Sequence, residues 1–201
     1  VYRKGRPGAK ADFSFAARRP INGARIPGKG NAMTDTFRIT LAQLNPTVGD
    51  LPGNAAKARE AWARAREAGA QLLALPEMFI TGYQTQDLVL KPAFTADAMA
   101  AIEALAQDCA DGPAIGIGGP WAEGSKLYNA FWILRGGKVL HRVLKHELPH
   151  KQLFDELRLF DQGPLQGPYS LAGLRIGLLI CEDAWWPEVT ETLAETGAEI
   201  R

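Results

Sequence analysis

The sequence is poor in cysteine and contains no long hydrophobic stretch. Cys109 and Cys181 are the only two cysteines among 201 residues, and they lie far apart in the chain. Two distant thiols do not form the disulfide framework of small secreted domains, so we expect a cytoplasmic protein in a reducing compartment. No apolar run approaches the roughly 20 residues that cross a membrane, so we expect no membrane partner.

Acidic residues are almost absent from the first 32 positions, where eight Lys/Arg residues face a single acid, Asp12. This stretch is rich in Gly, Pro and Arg without helical or strand periodicity, so we expect residues 1–32 to be a disordered basic leader. Because Met33 follows directly, we expect the leader to be upstream translation or added sequence, with a targeting segment as the alternative. The rest of the chain is mildly acidic, which predicts no nucleic-acid surface.

Strand and helix patterns alternate from Phe37 onward, and 46% hydrophobic residues are enough to bury one core. The patterns predict strands at 37–45, 71–76 and 113–119, a hairpin of 128–134 with 138–144, two strands within 169–183, and helices at 53–70, 96–110 and 187–197. Such alternation predicts a layered α/β sandwich. Residues 198–200 resemble the start of another strand, so we expect 33–201 to be the N-terminal part of a domain.

The string His146-Glu147-Leu148-Pro149-His150 matches the H-E-x-x-H pattern of zinc peptidases. That chemistry needs both histidines one turn apart on a helix, whereas Pro149 breaks a helix interior and the preceding residues predict a strand. We therefore expect no metal site here, and a zinc peptidase would require stoichiometric zinc. The glycines of "GIGGPW" lack the Lys and Ser/Thr of a phosphate-binding loop, and we interpret them as a strand edge with its turn.

Three residues with chemically useful side chains lie where predicted strands end, namely Glu77, Lys145 and Cys181. In open α/β sheets, reactive groups gather outside the carboxyl ends of strands. A carboxylate, an ammonium and a thiol supply a general base, a cation for an oxyanion and a nucleophile, which is what acyl transfer from an amide requires. The alternative is that the carboxylate and the ammonium are solvated loop groups and that Cys181 is a small buried hydrophobe.

Three segments around these residues, "LALPEMFITGY", "LKHELP…FDELRLF" and "LLICEDAWW", resemble the catalytic segments of the nitrilase superfamily. The stretches "AQLNPTVGDLPGN", "TQDLVLKPAF", "FDELRLF" and "CEDAWWPE" are further similar to the glutaminase domains of glutamine-dependent NAD synthetases. The resemblance extends from Phe37 to Ile200. It implies a nitrilase-like α-β-β-α sandwich, truncated at its C-terminal side.

The resemblance implies that Glu77 is the general base, Lys145 the oxyanion-stabilising cation and Cys181 the nucleophile. It also implies that the backbone N–H of Glu182 donates a second hydrogen bond to the oxyanion. Two effects on the thiol oppose each other, because a neighbouring ammonium favours the thiolate of Cys181 whereas burial disfavours it.

Two further residues have implied roles with open alternatives. Glu156 resembles the second glutamate that many superfamily members hold against the lysine, but a solvated pair with Arg158 explains it equally well. Trp185 lies where the family places an aromatic side chain beside the substrate, but Trp185 and Trp186 could equally be packing residues. Cys109 lies in a predicted helix, and we interpret it as a core residue.

The implied reaction is hydrolysis of the L-glutamine side-chain amide through a cysteine thioester, with no cofactor for that step. In the family, the ammonia reaches a synthetase domain that uses ATP and Mg²⁺ to amidate nicotinic acid adenine dinucleotide to NAD, and that domain is absent from this sequence. The resemblance also implies a homo-oligomer. Because family segments that help to bind glutamine follow Ile200, we expect the 201-residue chain to be weak or inactive.

Two other functions remain open at this point. The first is another nitrilase-superfamily amidase that acts on a different amide. The second is a non-catalytic α/β interaction subunit, in which Cys181 is buried and resists alkylation. Where many family members read Leu-Pro-Asn and an aromatic residue, this sequence has Leu148-Pro149-His150-Lys151, so we assign no substrate role to His150 or Lys151.

Overall fold

The structure, a computed structural model, describes residues 36–151 and 154–200. The predicted leader, residues 1–32, lies outside the described residues. Helices and strands alternate in the following order: β1 (Ile39–Leu41), α1 (Leu51–Glu67), β2 (Leu72–Ala74), α2 (Pro92–Asp108), β3 (Ala114–Glu123), β4 (Lys126–Arg135), β5 (Lys138–Leu144), α3 (Glu156–Leu159), β6 (Tyr169–Leu171), β7 (Leu174–Ile176) and α4 (Pro187–Glu195). Two short 3₁₀ turns, Gln86–Leu90 and Cys181–Trp185, complete the regular structure.

Strands β1 to β5 form one mixed sheet in chain order. β1, β2 and β3 run parallel, whereas β3, β4 and β5 pair antiparallel. The predicted hairpin is present across Gly136 and Gly137, whose positive φ angles a tight turn requires. β6 and β7 form a separate antiparallel pair joined at Ala172 and Gly173. The predicted α/β class is therefore confirmed.

Helices α1 and α2 pack against the sheet through faces that contain many small side chains. The buried residues of these two helices are Asn54, Ala55, Ala58 and Ala65 in α1, and Thr95, Ala98, Ile102, Leu105 and Ala106 in α2. Their helical spacing keeps each set on one face, which meets a core that contains the fully buried Trp132. Cys109 belongs to this core, as predicted. Among the described residues, no helix combines the length and apolar character needed to span a membrane.

The glycines at 116–119 lie inside β3, so our interpretation of them as a strand edge with its turn was wrong. Gly118 is required by a close approach, because a Cβ built on it would lie only 2.1 Å from the backbone nitrogen of Met78. The loop after β2 crosses β3 at this point, and the Gly118 N–H donates to the carbonyl oxygen of Pro76 at 3.2 Å. Gly118 thereby allows the loop that carries Glu77 to lie directly on the sheet.

Three predicted strands are shorter than expected, and the one predicted at 71–76 is limited to the three residues of β2. The strand predicted at 37–45 is limited to the three residues of β1. β7 ends at Ile176, so the prediction that a strand continues to Cys181 was wrong. Among the described residues no strand lies beside 178–180, so this segment has no backbone ladder to extend. The strand start predicted at 198–200 is present as a parallel bridge between Ile200 and Ile176.

Candidate active site

Lys145 is a buried lysine held between two carboxylates. Its Nζ lies 2.7 Å from Glu77 Oε1 and 2.7 Å from Glu156 Oε2. The side chains of Lys145 and Glu156 are 1% and 3% exposed, whereas that of Glu77 is 19% exposed. The structure therefore brings Glu77, Lys145 and Glu156 into direct contact, with Glu77 as the carboxylate that solvent still reaches.

The backbone around Lys145 fixes where its side chain starts. Lys145 directly follows β5, and its N–H donates to the carbonyl oxygen of Asn129 on β4 at 2.9 Å. Its own carbonyl oxygen accepts from the N–H of Gly163 at 2.8 Å. Both peptide groups of the lysine are thus tied to neighbouring segments, so the flexible side chain begins from a rigid point.

Glu156 opens the short helix α3, and its N–H donates to the carbonyl oxygen of Pro149 at 2.8 Å. Arg158, the alternative partner expected for Glu156, instead pairs with Asp155 at 2.6 Å and with Asp87 at 2.5 Å. The expected alternative of a solvated Glu156–Arg158 pair was therefore wrong. Glu156 is buried against Lys145.

The surrounding charges keep Lys145 protonated. Burial lowers the pKa of a lysine, but the two carboxylates outweigh it here, so the pKa of Lys145 lies above its ordinary value. Burial raises the pKa of the Glu156 carboxyl, although the contact with Lys145 opposes this rise. Lys145 is therefore an ammonium throughout the neutral pH range.

Two more polar residues contact this group, and the sequence analysis gave neither a role. The hydroxyl of Tyr83 donates to Glu156 Oε1 at 2.9 Å. The amide Nδ2 of Asn129 donates to Glu77 Oε1 at 2.7 Å and lies 3.4 Å from each carboxylate oxygen of Glu156. Tyr83 stands in the quoted segment "LALPEMFITGY", so a signal for it existed, whereas Asn129 lies within an ordinary strand pattern that gave none.

Cys181 opens a 3₁₀ turn and is exposed to solvent, so the interpretation of its thiol as a buried hydrophobe was wrong. Its φ of 50° lies in the left-handed region, which residues other than glycine rarely adopt and which is concentrated at functional sites. The charges of Glu77, Lys145 and Glu156 all act on its thiol. The structure thus gathers the three predicted catalytic residues at one place, where Cys181 is exposed, Glu77 is partly exposed and Lys145 is buried.

Of the two effects expected on the thiol, the one that disfavours the thiolate prevails. Partial burial raises the pKa of Cys181, and the Glu77 carboxylate raises it further. Lys145 lowers this pKa, but Glu156 and Glu182 add negative charge nearby, so the net direction is upward. Cys181 is consequently a protonated thiol at neutral pH, and its activation requires a base.

Asp183 connects the turn that begins at Cys181 to the segment that follows β5. Its Oδ1 accepts from the N–H groups of Glu147 at 2.8 Å and His146 at 3.1 Å, and its Oδ2 accepts from that of Ile180 at 3.1 Å. The residue is 2% exposed, and its burial raises the pKa of the carboxyl although the three N–H groups oppose the rise. The sequence analysis gave Asp183 no role.

Glu182 and Trp185 lie at the surface beside the nucleophile. No hydrogen bond among the described residues uses the backbone N–H of Glu182, so this donor is available for the role predicted for it. Trp185 is 79% exposed and, with Glu182 and Trp186, lines an open depression. An indole this exposed is not a packing residue within the described part of the chain.

The H-E-x-x-H string does not form the helix that a zinc peptidase needs, because residues 145–150 are irregular. One group within residues 36–151 and 154–200 has donor atoms close enough to share a metal ion, namely His146, Glu147 and Glu188, whose donors lie within 4.8 Å of one another. His146 Nδ1 lies 2.7 Å from the carbonyl oxygen of Gly163, with which it forms a hydrogen bond. His150 is not a member, so this group is not the H-E-x-x-H arrangement.

Comparison with known families gives one match that covers most of the chain. The family described as carbon-nitrogen hydrolase matches residues 38–201. Among curated proteins, the chain is 62% identical over 168 residues to glutamine-dependent NAD(+) synthetase of Rhodobacter capsulatus, and 36% identical over 151 residues to that of Thermotoga maritima. These alignments cover 84% and 75% of this chain but 30% and 26% of the relatives.

Solved structures show the same fold. The glutamine-dependent NAD+ synthetase of Acinetobacter baumannii in complex with ADP superposes with a TM-score of 0.77 at 29% identity, over 82% of this chain and 31% of that one. An amidase from Nesterenkonia sp. superposes with a TM-score of 0.71 at 29% identity, over 82% of this chain and 63% of that one. The chain therefore spans less than a third of the length of these synthetases, and 63% of the amidase.

Proposed function

The chain belongs to the carbon-nitrogen hydrolase family, and from this premise we propose that it hydrolyses the side-chain amide of L-glutamine and releases ammonia for the synthesis of NAD. The single observation that carries the chemistry is the contact of a buried ammonium with two carboxylates beside an exposed, strained cysteine. The choice of glutamine is supported by the 62% identity to a glutamine-dependent NAD(+) synthetase.

The first step is formation of the thioester. Glu77 takes the proton of the Cys181 thiol while the sulfur attacks the amide carbon of glutamine. The negative charge moves to the amide oxygen, where the Lys145 ammonium and the N–H of Glu182 stabilise it. When the carbon–nitrogen bond breaks, Glu77 returns the proton to the leaving nitrogen, which departs as ammonia.

The second step restores the enzyme. Glu77, again a carboxylate, takes a proton from water, whose oxygen attacks the thioester carbonyl. The carbon–sulfur bond breaks, Cys181 takes up the proton, and glutamate leaves. The first step requires a base because the thiol is protonated, which agrees with the raised pKa of Cys181. The raised pKa of Lys145 keeps the oxyanion-stabilising charge in place throughout.

The proposal extends to the fate of the ammonia. A synthetase domain that uses ATP and Mg²⁺ to amidate nicotinic acid adenine dinucleotide would consume it, and we assign no residue of this chain to ATP or Mg²⁺. We also propose a homo-oligomer in the cytoplasm. Size-exclusion chromatography with light scattering tests the oligomer, because a monomeric mass at micromolar concentration would contradict it.

Labelling by an electrophilic glutamine analogue tests the nucleophile and the substrate together. We expect mass spectrometry to find the adduct on Cys181, to find none in Cys181→Ala, and to find protection of the thiol by excess glutamine. Cys109 is the internal control, because it is buried and should remain unmodified. An adduct on Cys109 alone, or labelling of Cys181 that glutamine does not reduce, would contradict the proposal.

A second candidate is hydrolysis of a different amide, which the superposition on the Nesterenkonia amidase favours. The catalytic group would act in the same way, and only recognition of the substrate would differ. Ammonia release measured for glutamine, asparagine, propionamide and acetamide distinguishes the two. Faster release from a simple aliphatic amide than from glutamine would favour this second candidate.

A further inference from the structure

Asn129 is a buried asparagine that contacts Glu77, Lys145 and Glu156 and has no titratable group of its own. It is 1% exposed. Its backbone carbonyl oxygen accepts from the N–H of Lys145, and its side-chain Nδ2 contacts Glu77 and Glu156. We propose that Asn129 is a positioning residue that holds the Glu77 carboxylate in the orientation needed to take the proton of Cys181. This inference rests on the proposed function, because it assumes that Glu77 is the general base.

The orientation of the Asn129 amide follows from the charges around it. Nδ2 donates to Glu77 Oε1 at 2.7 Å and lies 3.4 Å from both oxygens of Glu156. With the amide reversed, its oxygen would face two carboxylates that have no proton to donate. The N–H₂ group is therefore directed at the carboxylates.

The oxygen of the same side-chain amide is in an unfavourable environment. Oδ1 of Asn129 is buried and has no hydrogen-bond partner among the described residues. A buried acceptor without a partner is unfavourable, and an apolar side chain of the same shape would avoid it. The contact of Nδ2 with Glu77 is the feature that distinguishes asparagine from such a residue here.

The two hydrogen bonds to Glu77 select which oxygen is free. Lys145 Nζ and Asn129 Nδ2 both donate to Oε1, each at 2.7 Å. No hydrogen bond to Oε2 is found within the described residues, so Oε2 is the oxygen available for the thiol proton. Without the hydrogen bond from Asn129, the Glu77 carboxylate would be held by Lys145 alone and could rotate about that contact. Oε2 would then not be held toward the thiol of Cys181.

A double-mutant cycle on the protein tests this role. The variants are Asn129→Leu, which keeps the approximate shape, Glu77→Gln, the double variant, and Thr95→Val as a control that loses one buried hydrogen bond to a backbone carbonyl elsewhere. We expect Asn129→Leu to lower kcat for glutamine about tenfold or more with KM changed little, and to move the acidic limb of the kcat/KM profile to higher pH. In the Glu77→Gln background the same change should have little further effect.

A measurement that does not need glutamine separates this inference from the proposed function. The charged and titratable groups around Glu77 are Lys145, Glu156, Tyr83 and Cys181. Because the Asn129 N–H group shields the Glu77 charge, its loss should move the midpoint of iodoacetamide labelling of Cys181 to higher pH, and only while Glu77 is present. Faster ammonia release from a simple aliphatic amide than from glutamine would contradict the proposed function and leave this readout intact.

The outcomes are distinct. Equal effects of Asn129→Leu with Glu77 intact and in the Glu77→Gln background would overturn the inference, because the asparagine would then act independently of the base. The inference would also be overturned if Asn129→Leu had the same kinetics, pH profile and labelling midpoint as Thr95→Val and differed from the unmodified protein only in a lower Tm. If Asn129→Leu does not fold, Asn129→Ala keeps the cycle interpretable, since it removes the same donor with less bulk.

Discussion

Lys145 carries a buried charge that two carboxylates stabilise. Removal of its ammonium by Lys145→Met would leave Glu77 and Glu156 facing each other without a cation. We expect the free energy of unfolding to fall by about 3 kcal/mol or more, because breaking a buried ion pair leaves an uncompensated charge. We also expect analogue labelling of Cys181 to be lost.

Urea denaturation measures the effect, and Lys138→Met is the matched control. Lys138 is an exposed lysine at the start of the same strand, β5, so its loss should change the unfolding free energy by less than about 0.5 kcal/mol. Equal destabilisation by the two variants would contradict a special role for the buried lysine.

Glu77 should affect the chemical reactivity and the catalytic activity of Cys181 in opposite directions. Its carboxylate raises the pKa of the thiol, so Glu77→Gln should lower that pKa and increase the thiolate fraction at pH 7. Alkylation by iodoacetamide at pH 7 should therefore become several-fold faster, with its midpoint at lower pH. Glutamine hydrolysis should nevertheless fall by roughly 10²–10⁴-fold, because the base is lost.

Glu182→Gln is the control for this pair of effects. Glu182 makes the smallest of the charge contributions that raise the pKa of Cys181, so its removal should move the alkylation midpoint less. Slower alkylation in Glu77→Gln at every pH would show that the carboxylate does not raise the thiol pKa, and the assigned protonation state would be wrong.

Asp183 couples two segments that lie far apart in the sequence and carry Lys145 and Cys181. Its carboxylate bonds backbone N–H groups 36 and 37 residues away and one within its own turn. We expect Asp183→Ala to lower the free energy of unfolding by about 2–3 kcal/mol, since one buried and two partly buried N–H groups lose their acceptor. Labelling of Cys181 by the glutamine analogue should slow as its turn loses its anchor to the Lys145 segment.

Asp161→Ala is the matched control, because the exposed carboxylate of Asp161 accepts from a single backbone N–H, that of Leu127. We expect about 1 kcal/mol or less of destabilisation there. Thermal unfolding and labelling rates on both variants check the prediction. Unchanged labelling in a destabilised Asp183→Ala would restrict this residue to a structural role.

The stability of the five-stranded sheet should vary from its β1 edge to its interior. β3 and β4 share nine paired residues, and Trp132 on β4 is fully buried. β1 pairs over three residues, and its Leu41 is 76% exposed. Hydrogen exchange followed by mass spectrometry should therefore find the amides of 126–135 slowest and those of 39–41 among the fastest. Equal protection of the two segments would contradict this.

Much of the fold could be predicted from local pattern. Hydrophobic periodicity placed the helices, and the Gly136-Gly137 turn placed the hairpin, because both depend on neighbours in the chain. The pattern failed at 178–180, whose apolar residues suggest a strand. A strand needs a partner beside it as well as suitable side chains, and the described residues provide none there.

Part of the candidate site could likewise be predicted from local sequence, and part could not. Glu77, Lys145, Glu156 and Cys181 could be named from the sequence, because each stands in a short segment with the pattern of a known family. Asn129 could not, because it lies 52 residues in sequence from Glu77, the residue to which its side chain donates a hydrogen bond. The protonation of Cys181 likewise depends on charges brought from three distant segments. The identity of the catalytic residues could therefore be predicted from short sequence segments. The contacts that set their orientation and protonation arise only when folding brings residues that are remote in the sequence within a few ångströms of each other.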